Sequence, residues 1–157
     1  MNTKHLEDLM FKELSSRNKL LVFEVGIPKR QRFKIINSLE RVDACIYDIE
    51  RNEVNMYELK VSVGDFNSKA KLSFCGDRNY YVLAENIYKH VSHKIPKDIG
   101  VYLGNDKGEF WLEKPAKRKK ATVDKKLMLK NVTKALNREY REYREYLYKQ
   151  RKKSNWL

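Results

Sequence analysis

Two alternating apolar segments joined by a charged turn place the strongest constraint on how this chain folds. The first segment covers residues 41 to 49, the second covers 54 to 61, and the polar residues 50 to 53 between them are typical of a hairpin connection. Antiparallel pairing would bring the start of the first strand beside the end of the second. The pattern therefore predicts the centre of a β-sheet and brings Asp43 close to Glu58.

Asp43, Glu58 and Lys60 are the charged residues of this predicted hairpin that can support chemistry. Glu58 and Lys60 are two residues apart, so their side chains point to the same face of a strand. Two carboxylates beside an ammonium group can hold Mg²⁺, which prefers oxygen ligands, and can help to make a nucleophile from water. The alternative is a solvated strand face, on which Asp, Glu and Lys are common.

Length and hydropathy limit the class of protein. A chain of 157 residues fits one domain with a normal core. No apolar run approaches the ~20 residues that span a membrane, and the N-terminus lacks the apolar core of a signal peptide. We therefore expect a cytoplasmic protein with no membrane partner. Cys45 and Cys75 have neither metal-site nor disulfide spacing, and we expect Cys45 to be a small buried apolar residue.

Charge is concentrated at the C-terminal end. The chain has 34 Lys and Arg against 21 Asp and Glu, a net charge of +13. Residues 114 to 157 hold 16 basic and 4 acidic side chains, whereas residues 1 to 113 hold 18 and 17. This asymmetry points to a polyanionic partner, nucleic acid first. A merely solvated basic helix, or a patch for anionic lipid, is the alternative.

The N-terminal third predicts a helix and a strand. Residues 3 to 15 have apolar side chains at helical spacing, with Thr3 as N-cap. Residues 20 to 27 form a predicted strand that contains Glu24 among apolar neighbours. Residues 28 to 34 then predict a loop, or a fraying hairpin, whose cations could touch phosphates. Those cations are Lys29, Arg30, Arg32 and Lys34.

The segment after Lys60 predicts alternating helices and strands. Asp65 would cap a helix over residues 66 to 74, and Gly76 would stop it. Further elements are a strand over 79 to 84, a helix over 85 to 91, and a hairpin formed by strands 99 to 103 and 109 to 112. The mixed order predicts an α/β or α+β fold with one central sheet.

The C-terminal segment predicts a cationic linker followed by a helix. The linker spans residues 114 to 120, and an apolar stripe begins after Val123 at spacings of three and four. One interpretation is that the stripe packs on the body or on a second copy, as in a homodimer, with the charges solvated. Our hypothesis is that the helix packs by this stripe and presents its Lys and Arg to the phosphate backbone. The members of the stripe are Leu127, Leu129, Val132, Leu136, Tyr140, Tyr143 and Leu147. The cations expected at nucleic acid are Lys117, Arg118, Lys119, Lys120, Arg151, Lys152 and Lys153.

Five segments in order resemble the PD-(D/E)XK nuclease superfamily, which has a restriction-endonuclease-like αβββαβ core. The likeness is strongest to the small standalone nucleases related to MmcB and VRR-NUC proteins. The segments are Phe-Glu-Val at 23 to 25, Arg-Val-Asp at 41 to 43, Tyr-Glu-Leu-Lys at 57 to 60, Val-Ser-Val-Gly-Asp-Phe at 61 to 66, and Asn-Tyr-Tyr-Val-Leu-Ala at 79 to 84. The resemblance covers residues 3 to 113. The proline that names the motif is replaced by Val42.

The resemblance implies a role for each matching residue. Asp43 would be the central metal ligand, Glu58 the second carboxylate ligand, and the backbone carbonyl of Leu59 would complete the set. Glu24 would be an additional acidic ligand. Lys60 would position the attacking water and offset charge in the transition state. The implied cofactor is Mg²⁺, with Mn²⁺ able to substitute.

These observations together predict a nuclease domain over residues 1 to 113 and a basic linker and helix over 114 to 157. We expect a Mg²⁺-dependent deoxyribonuclease, acting as an endonuclease in DNA repair, recombination or phage DNA processing. One alternative is a non-enzymatic nucleic-acid-binding module that uses the basic C-terminal helix. Another is an interaction protein whose C-terminal helix binds a protein partner.

Overall fold

The computed structural model describes the backbone of residues 1–31, 34–68, 72 and 74–155, and the side chains of these residues except 29–31 and 34–39. The described chain forms one six-stranded sheet with helices on both faces. The strands are β1 (Lys19–Gln31), β2 (Lys34–Asp48), β3 (Glu53–Lys60), β4 (Arg78–Ala84), β5 (Gly100–Gly104) and β6 (Phe110–Lys114). The helices are α1 (Thr3–Leu14), α2 (Val63–Phe66), α3 (Glu85–Val91) and α4 (Lys125–Ser154), with a 3-10 turn at Ser92–Lys94.

The strands lie in sequence order, β1 to β6, across the sheet. Strands β1, β2 and β3 are antiparallel, β3, β4 and β5 are parallel, and β6 returns antiparallel to β5. The predicted fold class, an α+β arrangement around one mixed central sheet, is confirmed. The first six elements follow the predicted order α-β-β-β-α-β.

Helix α1 covers one face of the sheet. Its N-cap lies one residue earlier than predicted, because Asn2 and not Thr3 fills that position, and the Asn2 side chain accepts the His5 N–H at 2.9 Å. The core on this face contains Leu6, Met10, Leu21, Ala44, Ile46, Tyr57, Leu59, Tyr80 and Val82. Because these side chains of β3 and β4 are buried on the α1 side, the intervening side chains of both strands lie on the opposite face of the sheet.

The strand predicted to end at residue 27 continues instead to Gln31, and β2 begins at Lys34. The prediction of a loop over residues 28 to 34 is therefore wrong, and its hairpin alternative is confirmed for the described residues. Strand β1 is at the edge of the sheet, where the missing N–H of Pro28 breaks no ladder. A register shift between Gly26 and Pro28 accommodates the ring.

The helix predicted over residues 66 to 74 is displaced toward the N-terminus. Helix α2 spans Val63–Phe66, and its N-cap is Ser62, whose Oγ accepts the Asp65 N–H at 3.0 Å. Asp65 in turn accepts the Val61 N–H, one residue before the N-cap, through Oδ2 at 3.3 Å, and the two side chains together start the helix early. Residues 69 to 71 and 73 of the predicted helix lie outside the described residues.

The first half of α4 packs on the opposite face, across β1 and β2. The buried row on α4 is Met128, Val132 and Ala135, which join a core containing Val22, Val25, Cys45 and Met56. The predicted stripe is thus wrong in part: Tyr140 and Tyr143 are exposed, because α4 passes the edge of the sheet after Glu139. No helix of the described residues is long and apolar enough to cross a membrane.

Candidate active site

Asp43 and the Glu58-Leu59-Lys60 segment meet where β2 and β3 separate. The two strands pair from Asp48 with Glu53 as far as Ala44 with Tyr57. Beyond that pair a side chain replaces the backbone as the hydrogen-bond acceptor: Asp43 Oδ2 accepts the Leu59 N–H at 2.8 Å. The carboxylate therefore satisfies a backbone donor that the ladder leaves unpaired, and it lies beside the motif predicted to act with it.

Glu58 and Lys60 are charged residues in the interior, with 5% and 6% of their surface exposed. Both lie an even number of residues after Met56 along β3, so their side chains lie on the same face of the sheet as Met56. This is the face that α4 covers. Two apolar clusters share this face, one beneath α4 and one beneath α3. Buried charges require partners, and Lys60 Nζ lies 3.6 Å from Asp65 Oδ1.

The neighbours of Glu58 are held in neutral form. Tyr81 is its register partner on β4, and burial, followed by the Glu58 carboxylate, raises the pKa of Tyr81 to about 12. Burial also raises the pKa of the Cys75 thiol to about 11, with smaller contributions from Glu40 and Glu58. Neither side chain ionises near neutral pH, so the described groups with nucleophilic or ligand chemistry here are the carboxylates and Lys60.

Asp65 is a site residue whose role the sequence does not reveal. The sequence predicts a helix cap at this position, but the two carboxylate oxygens bridge Lys60 Nζ and the Val61 N–H. This bridge joins the start of α2 to the end of β3. The Ser62-x-x-Asp65 pattern is the available signal, because it places the carboxylate one turn away from the strand end.

Glu24 lies on β1 at the level of Asp43. The pairs Phe23–Ala44 and Val25–Val42 flank these two residues. Glu24 has a φ of 49°, which is unusual for a residue with a side chain, and it is exposed. Its side chain lines surface depressions whose walls also include Arg41 and Arg138, and neither Asp43 nor Glu58 lines them. The structure therefore does not group Glu24 with the other two carboxylates.

The oxygen donors at this site fit a hard divalent cation. In the described part of the chain, no group of three or more His, Cys, Asp and Glu side chains could hold a metal ion. Mg²⁺, however, commonly keeps several waters and binds through one or two carboxylates. Asp43 and Glu58 supply two. The N–H and C=O of one strand residue point the same way, so the Leu59 carbonyl is directed to the side where Asp43 binds.

The predicted basic residues have diverse environments. Arg118 pairs with the buried Glu53 at 2.9 Å, and Lys119 lies 3.5 Å from Asp98. Both of these cations are thus engaged within the protein. Both are nevertheless exposed, as are Lys117, Lys120, Arg151, Lys152 and Lys153. The side chains of Lys29, Arg30 and Lys34, and all of Arg32, lie outside the described residues.

A solved structure shares this fold. The chain aligns with the SPO1766 protein of unknown function from Silicibacter pomeroyi, with a TM-score of 0.69 over 92% of this chain and 92% of that chain. The sequence identity is 19%, so the likeness concerns the fold alone. No protein-family model and no curated protein matches the sequence.

Proposed function

We propose that this protein is a Mg²⁺-dependent deoxyribonuclease of the PD-(D/E)XK type, and that it acts as an endonuclease. The observation that carries the proposal is the hydrogen bond from the Leu59 N–H to Asp43. This bond joins Asp43 on β2 to the Glu58-Leu59-Lys60 segment on β3, and the motif requires both. The same contact brings Asp43 into the neighbourhood of two further buried charges, Glu58 and Lys60.

Asp43, Glu58 and the Leu59 carbonyl would hold the cation, which when bound supplies Lewis-acid activation of the phosphate and of water. Mn²⁺ has the same preference for oxygen and would substitute. Lys60 carries donors and no acceptor when charged, so its role is to orient water or offset negative charge on the phosphate. Asp65 fixes the position of Lys60, because its Oδ1 lies 3.6 Å from the ammonium nitrogen.

The second candidate is a nucleic-acid-binding module without catalysis. One observation favours it: the end of α4 beyond Glu139 exposes aromatic and basic side chains together. Tyr140, Tyr143, Tyr146 and Tyr148 are each more than half exposed, and Lys152 Nζ lies 5.1 Å from the centre of the Tyr148 ring. Aromatic rings and cations are the groups that contact bases and phosphates.

Cleavage of linear, circular and branched DNA, with Mg²⁺ or with chelator, separates the two candidates. We expect products only with Mg²⁺ or Mn²⁺, and nicking of circular DNA if the enzyme is an endonuclease. Binding in chelator, without cleavage under any condition, would favour the second candidate.

Asp43→Asn and Glu58→Gln provide the test of the site itself. The amide oxygen introduced by Asp43→Asn can still accept the Leu59 N–H, so this variant should fold and bind DNA in chelator but not cleave it. Asp98→Asn is the matched control, because Asp98 is a partly exposed carboxylate of the protein surface. Full cleavage by Asp43→Asn would rule out the proposed site.

A further inference from the structure

A depression with both apolar and charged lining residues lies between α4 and edge strand β1, close to the candidate site. Its volume is about 280 Å³. Its charged lining consists of Arg41, Lys134, Arg138 and Glu24, so cations outnumber carboxylates by three to one. The candidate site and its proposed reaction make no use of Arg41, Lys134 or Arg138.

The walls of this depression are fixed to each other. Asn131 Nδ2 donates to the Gly26 carbonyl at 2.8 Å, and Arg138 donates to the Phe23 carbonyl at 3.2 Å. Glu139 accepts the Phe23 N–H at 3.4 Å. These contacts cover polar groups of edge strand β1 that could otherwise pair with another strand. The backbone groups of β1 that make these bonds are therefore occupied, and a ligand would meet the charged side chains that line the depression.

The positive charge continues along one side of α4. A neighbouring depression shares Lys134 and Arg138 and adds Arg141, and its cations outnumber its carboxylates, Glu142 and Glu145, by three to two. A third depression shares Arg41, Arg138 and Glu24 with the first and adds Lys4, Glu7, Glu139 and Glu142, so carboxylates outnumber cations there by four to three. A polyanion would therefore be favoured at the depressions that contain Lys134 over the one that contains Glu139.

The depression also lies near the candidate catalytic carboxylate. Arg41 precedes Asp43 by two residues on β2, a separation of about 7 Å along a strand. A nucleic-acid strand rises about 3.4 Å per nucleotide. Neighbouring phosphates are farther apart than this axial rise because the backbone winds around the axis, so a phosphate bound at Arg41 would be a near neighbour of one at Asp43.

We propose that this depression binds the phosphate backbone of the nucleic-acid substrate, through Arg41 and Lys134, and guides the strand toward Asp43. The inference rests on the proposed function for the identity of the ligand. It does not depend on catalysis, since a strand can be held by these cations in the absence of cleavage.

A pair of double variants with equal charge change tests the proposal. R41Q/K134Q removes two cations of the depression, and K12Q/K107Q removes two exposed cations that line none of these depressions. Binding to a labelled duplex of about 20 base pairs is measured by fluorescence anisotropy in chelator, between about 50 and about 200 mM salt. Thermal unfolding confirms that each variant is folded.

The log–log salt slope should fall by about 1.8 for R41Q/K134Q, because each phosphate contact contributes about 0.9. Between those salt concentrations, the Kd of this variant should then change roughly tenfold less than that of the wild type. K12Q/K107Q should keep the wild-type slope. Equal changes in both double variants would mean that only net charge matters, and would overturn the proposal, as would an unchanged slope in folded R41Q/K134Q.

A single charge reversal covers the case in which R41Q/K134Q does not fold. Lys134→Glu changes an exposed residue of α4, and Lys126→Glu is its control on the same helix, away from the depressions. Lys134→Glu should weaken binding more than Lys126→Glu, and equal weakening would overturn the proposal. Because binding is measured in chelator, the outcome is independent of whether the protein cleaves DNA. A protein that cleaves with Mg²⁺ but shows no difference between the variants retains its proposed function and loses only this site.

Discussion

Asp77→Ala should destabilise the protein strongly, because Asp77 joins three parts of the chain. The carboxylate is 3% exposed. It accepts the Val54 N–H of β3 at 2.9 Å and the Ala121 N–H before α4 at 3.4 Å. It also pairs with Lys125, the first residue of α4, at 3.0 Å. Loss of the carboxylate removes both hydrogen bonds and the ion pair at the same time.

The expected magnitude follows from the groups left behind. A buried N–H without an acceptor costs about 1–3 kcal/mol, which applies to Val54. Ala121 is partly exposed and its bond is longer, so it adds about 1 kcal/mol or less. Lys125 is 30% exposed and can regain water, so the ion pair adds little. The total is about 2–4 kcal/mol, which for a chain of this size lowers Tm by roughly 5–15 °C.

Urea and thermal unfolding of Asp77→Ala, beside Asp98→Ala, measure this effect. Asp98 is 42% exposed and lies 3.5 Å from Lys119, so its removal should cost less than about 1 kcal/mol. If Asp77→Ala remained within about 1 kcal/mol of the wild type, the argument from unsatisfied donors would be refuted. Hydrogen exchange should also show that the start of α4 loses protection in Asp77→Ala and not in the control.

The pH dependence gives an independent check. Burial alone would raise the pKa of Asp77, but the Val54 N–H and the Lys125 ammonium hold this pKa below its usual value. The unfolded chain has a carboxyl pKa of about 3.9. The charged carboxylate therefore stabilises the fold above that pH, and the contribution is lost as pH falls through the lower folded pKa. Asp77→Asn should flatten the stability profile below about pH 4.

Four further outcomes are expected. Lys60→Ala should slow DNA cleavage strongly while calorimetry shows little change in Mg²⁺ affinity, since the ammonium is no metal ligand. Glu24→Gly should be neutral or stabilising by up to about 1 kcal/mol in urea, because φ of 49° favours glycine; a loss of stability would contradict this. Gly100→Ala should lower thermal stability by about 1–3 kcal/mol, because a Cβ would meet the Ala116 nitrogen at 2.7 Å and the Tyr80 ring. Deleting residues 140 to 157 should leave Tm nearly unchanged but lower the salt slope of DNA binding by roughly 0.9 for each phosphate that this segment binds.

The order of helices and strands along the chain could be predicted because each strand carries its own local pattern. Strands β3 and β4 are short apolar runs, and the hairpin between β5 and β6 has a glycine-bounded turn. The length of β1 could not be predicted in this way. A polar, cationic segment with a proline favours a loop in isolation, and it is acceptable in β1 because that strand lies at the sheet edge. Edge position is a property of the whole fold.

The candidate site was predictable in part for a similar reason. Antiparallel pairing alone brings Asp43 near Glu58, and the alternation of a strand brings Lys60 to the same face. The ion pair between Lys60 and Asp65 depends on where α2 begins. The hydrogen bond from the Asp65 N–H to Ser62 Oγ sets the start of α2. The helix propensity of the apolar residues further along the chain does not set it.

The division of α4 shows why charge along the sequence is an incomplete guide to binding. Arg118, Lys119 and Lys125 precede or begin the helix, and each pairs with a carboxylate of the body. These three cations are thus paired within the protein. After Glu139 the helix has left the sheet, and its tyrosines and cations face solvent although their spacing continues that of the buried half. The burial of a helical stripe ends where the sheet ends, so the polyanion-binding surface that we propose uses exposed cations between Lys134 and Lys153 and not the basic segment as a whole.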